Sequence, residues 1–598
     1  MKKIIKFIMA VAVASSAMFY SCETIELEET VNPNGLSPDQ ADPNLLANSI
    51  QIGYLANMSS FNGNAAGLVR INTFGSRDYF AGITGNALNA NWNRIYSTAM
   101  IPNINNIAAL NAEAGDGSLN FQEGISKVML AHSLMLLVDF IGDVPLSEAV
   151  QPDEFPAPNV DSGQSVYNAA LDMLTEAEGL LNGTIGDDLF YDGDSNAWIR
   201  AINTIRLKAA LTVQDYTTFN QIIAGGNFIQ SNDQDFQFTF GTNEVNPDER
   251  HPDYINDYTP SGANVYKSNW TMDYMLNSND PRIRYYFFRQ TGCTPGASCD
   301  PDGDGETLQC SLQQPPAHVA AAGFGDIFCF LEDGYWGRLH GDDGGAPPDG
   351  LLRTAFGVYP AGGLLDGDNF RNGSIEFNED SAEFEFVPDN IDDIVGLQAG
   401  GGGAGIEPFL LASQVDFMRA EVALAEGNPS SASMFLRSAI EKSISKVQSF
   451  GSLDTSLSGS TLLDGTTFDT ATGEIINAEL TSSLFPTSDD NDAFTDGIIA
   501  QFDTASTTDQ WNLLAEQFWI SQFGAGAEAY NFYRRTGFPT TLPPNLEPNP
   551  GGFVRSFPYA TSEVVANPNI SQKADQSVQV FWDTNPPSSP TGGFPAAN

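Results

Sequence analysis

The chain has 598 residues and a formal net charge of −49, from 75 acidic and 26 basic residues. A field of this sign repels nucleic acid and anionic membrane surfaces, so we expect neither as a partner of the folded body. We therefore expect a neutral, cationic or metal-associated ligand. The alternative explanation of the negative charge is that it keeps the protein soluble in a salty environment. The length allows two to four domains.

The N-terminal segment has the layout of an exported, lipid-anchored protein. Lysines within residues 2–6 precede an apolar run that ends at residue 20 and is short for a bilayer span. Ser21 then precedes Cys22, the arrangement of a bacterial lipoprotein signal, although Phe19 stands where leucine is usual. We predict a signal peptide over residues 1–21, acylation of Cys22 and an acidic tether over 22–44. Ordinary secretion with a structural Cys22 is the alternative.

Helical periodicity marks residues 45–60, 92–111, 125–140, 166–182, 197–213 and a pair within 414–449. In that pair the small residues Ala420 and Ala423 precede Gly427, and Ala432, Leu436 and Ala439 follow. This spacing is similar to the tetratricopeptide pattern, and Ala170, Leu174 and Ala177 repeat its second half. We therefore predict a mainly α-helical scaffold with few strands; a plain helical bundle is the alternative.

Two segments break the helical pattern. Residues 240–405 are rich in Gly, Pro, Asp and aromatic residues, and 450–500 are rich in Ser, Thr, Asp and Gly. We expect a helical scaffold over 45–239, an irregular ligand-facing region over 240–405, and a second helical scaffold over 406–598 with a loop insertion at 450–500.

The irregular region contains the four remaining cysteines and an acidic loop. Cys293, Cys299, Cys310 and Cys329 lie close together in sequence, which predicts two local disulfides in an exported protein. Three pairings are open, and a zinc site is the alternative. Between them, Asp300, Asp302, Asp304 and Glu306 alternate around a tight turn, which is consistent with a structural Ca²⁺ site or with a solvated acidic turn.

Motifs for catalysis are lacking. The sequence has no phosphate-binding loop, no GxSxG, no HExxH and four widely spaced histidines, so we expect no enzymatic activity and no required cofactor. A glycoside hydrolase needs a pair of catalytic carboxylates. This chain has so many carboxylates that their number neither supports nor excludes such a pair.

Aromatic residues beside polar ones are the candidates for ligand binding, because aromatic rings stack on sugar rings while polar groups bond the hydroxyls. Such residues occur in three stretches, although core packing is the alternative role for each aromatic ring. The candidates are Arg77, Asp78, Tyr79, Tyr266, Trp270, Tyr335, Trp336 and Arg338.

An ordered series of segments resembles the SusD/RagB family of outer-membrane nutrient-binding lipoproteins, in particular its SusD-like branch. The segments are NPNGLSPDQADPNLL, NWNRIYSTAMIPNINNI, AHSLMLLVDFIGDVPLSEA, RTAFGVYPAGG, DFMRAEVALAEGN, YNFYRRTGFP and RSFPYATSEVVANPN. The third is similar to a helix ending in Phe-Gly-Asp-x-Pro, here with Ile141 inserted, and Gly142 and Pro145 are expected to end that helix.

The resemblance implies four tetratricopeptide-like helix pairs and an irregular, loop-built ligand face. It also implies a non-enzymatic lipoprotein on the cell exterior that captures oligosaccharides for a SusC-like TonB-dependent transporter. A peptide-binding RagB-like lipoprotein and a surface-anchored glycoside hydrolase are the alternatives.

Overall fold

The computed structural model describes residues 42–73, 80–290, 352–367, 399–454, 485–543, 545 and 551–586, and 315–340 with gaps at 316, 322, 329 and 332–333. It describes the backbone alone of 373–378, 383–388, 467–468 and 475–476. Both tetratricopeptide-like scaffolds and much of the irregular region lie within these residues.

The N-terminal scaffold consists of seven described helices. They are α1 (Pro43–Leu68), α2 (Asn89–Asn93), α3 (Ile101–Ala114), α4 (Asn120–Ile141), α5 (Gly163–Leu181), α6 (Ser195–Thr212) and α7 (Tyr216–Gly225), with a π-helical turn at Arg94–Thr98. The five helices predicted here are confirmed, although the second is split by the π-helical turn.

Helix α4 is apolar on nearly every side. Among the described residues it is the one helix long and apolar enough to cross a membrane, but 94% of its most apolar window is buried within the protein. It packs against α1, α3, α5 and α6 and forms the centre of the core. Gly142 ends it with φ +104°, donating its N–H to the Val138 carbonyl, as predicted.

The C-terminal scaffold contains α12 (Ala412–Ala425), α13 (Pro429–Ser449), α14 (Ser488–Thr504), α15 (Thr507–Ser521), α16 (Ala527–Thr536) and α17 (Thr561–Ala566). Gly427 forms the turn between α12 and α13 with φ +74°, while Ala420, Ala432 and Leu436 are fully buried. Small residues at these positions allow the two helices to pack closely, so the tetratricopeptide-like prediction is confirmed.

The irregular region contains short elements: α8 (Pro252–Asp257), α9 (Asn269–Asn277), α10 (Ile283–Tyr286) and α11 (Ala317–Ala321). Its strands are β1 (Phe236–Thr239), β2 (Lys267–Ser268), β3 (Phe287–Phe288), β4 (Phe330–Leu331), β5 (Tyr335–Arg338), β6 (Ala355–Phe356), β7 (Gly373–Asn378), β8 (Glu383–Pro388) and β9 (Ile406–Leu410). β10 (Thr467–Phe468) and β11 (Ile475–Ile476) lie between the later helices.

These strands form small separate sheets. The described pairs are β1–β9, β3–β6, β7–β8 and β10–β11, all antiparallel, and one three-stranded sheet has the order β2–β5–β4. In that sheet β5 is central, parallel to β2 and antiparallel to β4. The prediction of few, short strands is confirmed.

One prediction of local structure is wrong. Residues 488–500 lie in the segment expected to be a loop, but they belong to helix α14. Its start is stabilised by a capping box, in which Thr487 and Asp490 bond each other's backbone N–H groups.

Candidate functional site

Helix α9 presents aromatic and polar residues on one face. Ser268 caps the helix by accepting a hydrogen bond from the Thr271 N–H at 3.4 Å. Trp270, Asp273, Tyr274 and Asn277 then follow at helical spacing, which places them on the same side. The rings of Trp270 and Tyr274 are 6.0 Å apart.

This face forms one wall of an open groove of about 740 Å³, whose other walls are α14 and α15. The volume is within the range of small-molecule binding sites. Rings and aliphatic groups line part of the groove: Trp270, Tyr274, Phe494, Ile498 and Leu513. Polar groups line the rest: Asp273, Asn277, Ser278, Asn279, Asp490, Gln501 and Glu516.

The groove is negatively charged. Among the described residues that line it, three are acidic and none is basic. Partial burial raises the pKa of Asp273, and burial raises the pKa of Glu516, which is only 7% exposed. Glu516 accepts hydrogen bonds from the hydroxyls of Thr541 and Tyr274, at 2.5 and 3.1 Å.

Arg282 holds the walls of the groove together. Its buried guanidinium forms an ion pair with Asp280 at 2.5 Å, just beyond α9. It also donates to Ser443 Oγ on α13 at 2.9 Å and to Gln517 Oε1 on α15 at 3.0 Å. The Phe494 ring on α14 lies 5.9 Å from the same group. One side chain therefore bonds or contacts α13, α14, α15 and the segment that follows α9.

A second cluster lies at the start of β2. The guanidinium carbons of Arg338 and Arg353 are 4.6 and 4.1 Å from the centre of the Tyr266 ring. Arg338 also donates to the Tyr266 hydroxyl at 3.3 Å. Two predicted residues, Tyr266 and Arg338, are thus brought together in a cation–π cluster, four residues before Trp270 in the sequence.

The structure places Tyr335 and Trp336 in the core. They are 3% and 1% exposed because β5 is the central strand of its sheet. The Arg289 guanidinium lies 5.0 Å from the Tyr335 ring, and the Phe330 ring lies 6.3 Å from that of Trp336. Neither ring is available for stacking on a ligand in this arrangement, contrary to the prediction.

Several predicted residues lie outside the described residues. They are Cys22, Arg77, Asp78, Tyr79, the calcium candidates Asp300, Asp302, Asp304 and Glu306, and the four cysteines Cys293, Cys299, Cys310 and Cys329. Within the described residues, no group of three or more His, Cys, Asp or Glu side chains is arranged to hold a metal ion.

Two family models match the chain. Residues 37–309 match a SusD-like family described as starch-binding and associating with the outer membrane. Residues 407–583 match the family described as SusD and RagB outer-membrane lipoprotein, and together the two matches span most of the chain. The chain belongs to the SusD/RagB family. Its mainly helical, tetratricopeptide-like fold is the fold of that family.

Solved structures of SusD/RagB proteins share this fold. A SusD/RagB family protein from Bacteroides thetaiotaomicron has a TM-score of 0.58 at 17% identity, covering 91% of this chain and 98% of the other. A chitin-binding SusD homologue from Flavobacterium johnsoniae has a TM-score of 0.53 at 17% identity, covering 91% and 98%. A further chitin-binding protein has a TM-score of 0.54 at 19% identity, covering 91% and 100%. Among curated proteins, none matches the chain.

The sequence prediction missed most of the groove residues. Asp273, Tyr274 and Asn277 share a helical face with Trp270, and that spacing is a signal present in the sequence. Phe494 and Glu516 could not be associated with Trp270 in this way, because they follow it by more than 200 residues.

Proposed function

We propose that this SusD/RagB protein binds oligosaccharides at the cell surface, without cleaving them, in the groove beside α9. The observation that carries the proposal is the combination of aromatic groups and convergent polar groups along one wall of this groove. Rings stack on the apolar faces of sugars, while carboxylates and amides bond sugar hydroxyls. The starch-binding description of the family and the chitin-binding names of two structural relatives support this ligand class.

The wider role that we propose is delivery to a TonB-dependent SusC-like transporter in the outer membrane. The protein would be anchored by fatty acids on Cys22 and would face the cell exterior. Mass spectrometry of the mature N-terminus tests the anchor, because acylation adds the mass of the fatty acids to a peptide that begins at Cys22. Co-purification of the transporter with the native protein from solubilised outer membranes tests the partnership.

Substitution of Gly497 tests the groove without disturbing the core. A β-carbon at Gly497 would meet no atom within 4 Å, although this residue lines the groove on α14. The side chain of Gly497→Arg is therefore expected to occupy the groove while the protein stays folded. Gly179→Arg is the matched control, because Gly179 is also unobstructed on an exposed helical surface, that of α5, and lines no part of the groove.

The assay is isothermal titration of purified protein with a panel of chitin and starch oligosaccharides and peptides. We expect one oligosaccharide class to bind, the Gly497→Arg variant to lose at least about tenfold in affinity, and Gly179→Arg to bind as the parent does. Trp270 is only 6% exposed, so Trp270→Ala is expected to weaken the same binding by about fivefold or more through loss of part of the groove wall, and not through loss of a stacking face.

Other outcomes contradict the proposal. Equal affinity in Gly497→Arg and the parent would place the binding elsewhere. Shorter oligosaccharides appearing during incubation would favour the glycoside hydrolase, and binding of peptides alone would favour the RagB-like role.

A further inference from the structure

Glu516, the buried carboxylate of the groove, differs from most other buried carboxylates in the described residues. Elsewhere a lysine or arginine usually compensates the charge: Asp257 pairs with Lys267 at 2.7 Å, and Glu421 pairs with Arg535 at 2.7 Å. A buried charge is costly unless it is paired, which is why such partners are the rule.

Among the described residues that line the groove, no lysine or arginine pairs with a carboxylate. Within the described part of the chain, the buried Glu516 carboxylate accepts hydrogen bonds from the hydroxyls of Tyr274 and Thr541 and has no cationic partner. Asp273 is half-buried, and burial raises its pKa while the Asn277 side chain one turn later acts in the opposite direction. Asp490, at the rim, is engaged with Thr487 as the cap of α14. Among the described residues, three carboxylates therefore line the groove and no cationic side chain does, although Asp490 is exposed to solvent.

The positions of the carboxylates relative to the rings suggest how a ligand would meet them. Asp273 follows Trp270 by three residues and precedes Asn277 by four, so it stands on the same helical face as both. Glu516 is hydrogen-bonded to the hydroxyl of Tyr274, the other ring on this face. A sugar packed against the half-buried Tyr274 ring would hold its substituents close to carboxylates that have no cationic partner among the described residues.

From this geometry we infer that the groove selects oligosaccharides that carry protonated amino groups, such as oligomers of glucosamine, over neutral and acidic oligosaccharides. The inference rests on the proposed function and names the ligand class of the same groove. An ammonium group would supply the missing positive charge in a partly desolvated site, where a charge-assisted hydrogen bond is stronger than a neutral one. A uronate would instead add a fourth negative charge and be repelled.

The experiment compares three oligomers of equal length: glucosamine, N-acetylglucosamine and galacturonate. Binding is measured by titration at pH values from mildly acidic, where the amines are protonated, to neutral, where the carboxyls with raised pKa are more fully ionised, and at low and high ionic strength. We expect the glucosamine oligomer to bind about tenfold more tightly than the N-acetylated one, and the difference to shrink in high salt. The galacturonate oligomer should not bind.

Variants assign the preference to the carboxylates. Asp273→Asn and Glu516→Gln keep the shape of each side chain and remove its charge, so each should reduce the amine preference, measured as the ratio of the affinities for the two oligomers, by several-fold. Asp172→Asn, at an exposed position on α5, is the matched control and should leave the preference unchanged. Thermal unfolding of each variant checks that it is folded.

The outcomes separate this inference from the proposed function. Equal binding of the amine and N-acetylated oligomers, with loss of both in Gly497→Arg, would overturn the amine preference and keep the groove as the glycan site. An amine preference that persists in both Asp273→Asn and Glu516→Gln, or tighter binding of galacturonate, would also overturn it. Binding of no oligomer, or binding insensitive to Gly497→Arg, would overturn both proposals for this groove.

Discussion

The carboxylate of Asp139 on α4 joins parts of the chain that are distant in sequence. It is fully buried. Its Oδ1 accepts hydrogen bonds from the Tyr167 hydroxyl and, at 2.9 Å, from the Trp582 indole, while its Oδ2 accepts one from the Asn531 side chain at 2.8 Å. Tyr167 lies on α5, Asn531 on α16 and Trp582 in the C-terminal segment, so one carboxylate satisfies donors from three separate parts of the fold.

Replacing Asp139 with alanine removes the acceptor of three buried donors at once. A buried donor left without a partner costs about 1–3 kcal/mol, so we expect Asp139→Ala to lower the free energy of unfolding by about 4 kcal/mol or more. This is a large fraction of the stability of a typical domain, which is about 5–15 kcal/mol. Asp172→Ala, at an exposed position on α5, should change it by less than about 0.5 kcal/mol.

The assay is equilibrium unfolding in urea, followed by tryptophan fluorescence and near-UV circular dichroism. A double-mutant cycle with Tyr167→Phe isolates the contact, because this substitution removes the hydroxyl alone. In the parent, Tyr167→Phe should cost about 1 kcal/mol or more; in Asp139→Ala it removes a donor that is already unpaired and should cost little. A small effect of Asp139→Ala, or additive effects of the two substitutions, would refute this reasoning.

Three further predictions concern packing, pH and the groove. Gly526→Ala would place a β-carbon 2.4 Å from the Ala66 nitrogen and should destabilise the protein by about 2 kcal/mol, whereas Gly179→Ala meets nothing and should stabilise it by up to about 1 kcal/mol, both measured by urea unfolding. Burial lowers the pKa of His251 from 6.5 to about 4, so the unfolded chain takes up this proton first and stability is lost as pH falls between these values, by about 3 kcal/mol. His251→Asn keeps an acceptor at the start of α8 and should flatten that part of the stability–pH profile. Arg282→Met leaves Asp280 buried without its partner and should cost about 3–5 kcal/mol in urea unfolding.

The helical scaffold could be predicted because its information is local. Ala420, Gly427 and Leu436 specify close packing, a turn and a buried face within a few residues of each other. Helix α14 was missed because its composition resembles a loop, with five acidic residues among its seventeen. Its apolar residues Phe494, Ile498 and Phe502 nevertheless recur every four positions, and this helical spacing is the local signal for α14 in the sequence.

The ligand face was harder to predict than the scaffold. Tyr335 and Trp336 look exposed in a sequence rich in glycine and aspartate, but they occupy the central strand of a small sheet whose neighbours come from separate segments. Whether an aromatic residue in irregular sequence is exposed depends on which strand lies beside it, and neither composition nor periodicity records that pairing. Trp270 was predicted because it stands among polar residues in the sequence; the structure places it in the wall of the groove, 6% exposed, and its role in binding stays a prediction.

Arg282 shows why the groove as a whole could not be predicted. Its partners Ser443 and Gln517 follow it by 161 and 235 residues, so no local pattern links them. The arginine is buried and forms an ion pair with Asp280. Its charge is therefore paired within the walls, and among the described lining residues no other cation faces Asp273 and Glu516. The same scarcity of basic residues that gives the chain its strong negative charge thus leaves the groove dependent on its ligand for a positive charge.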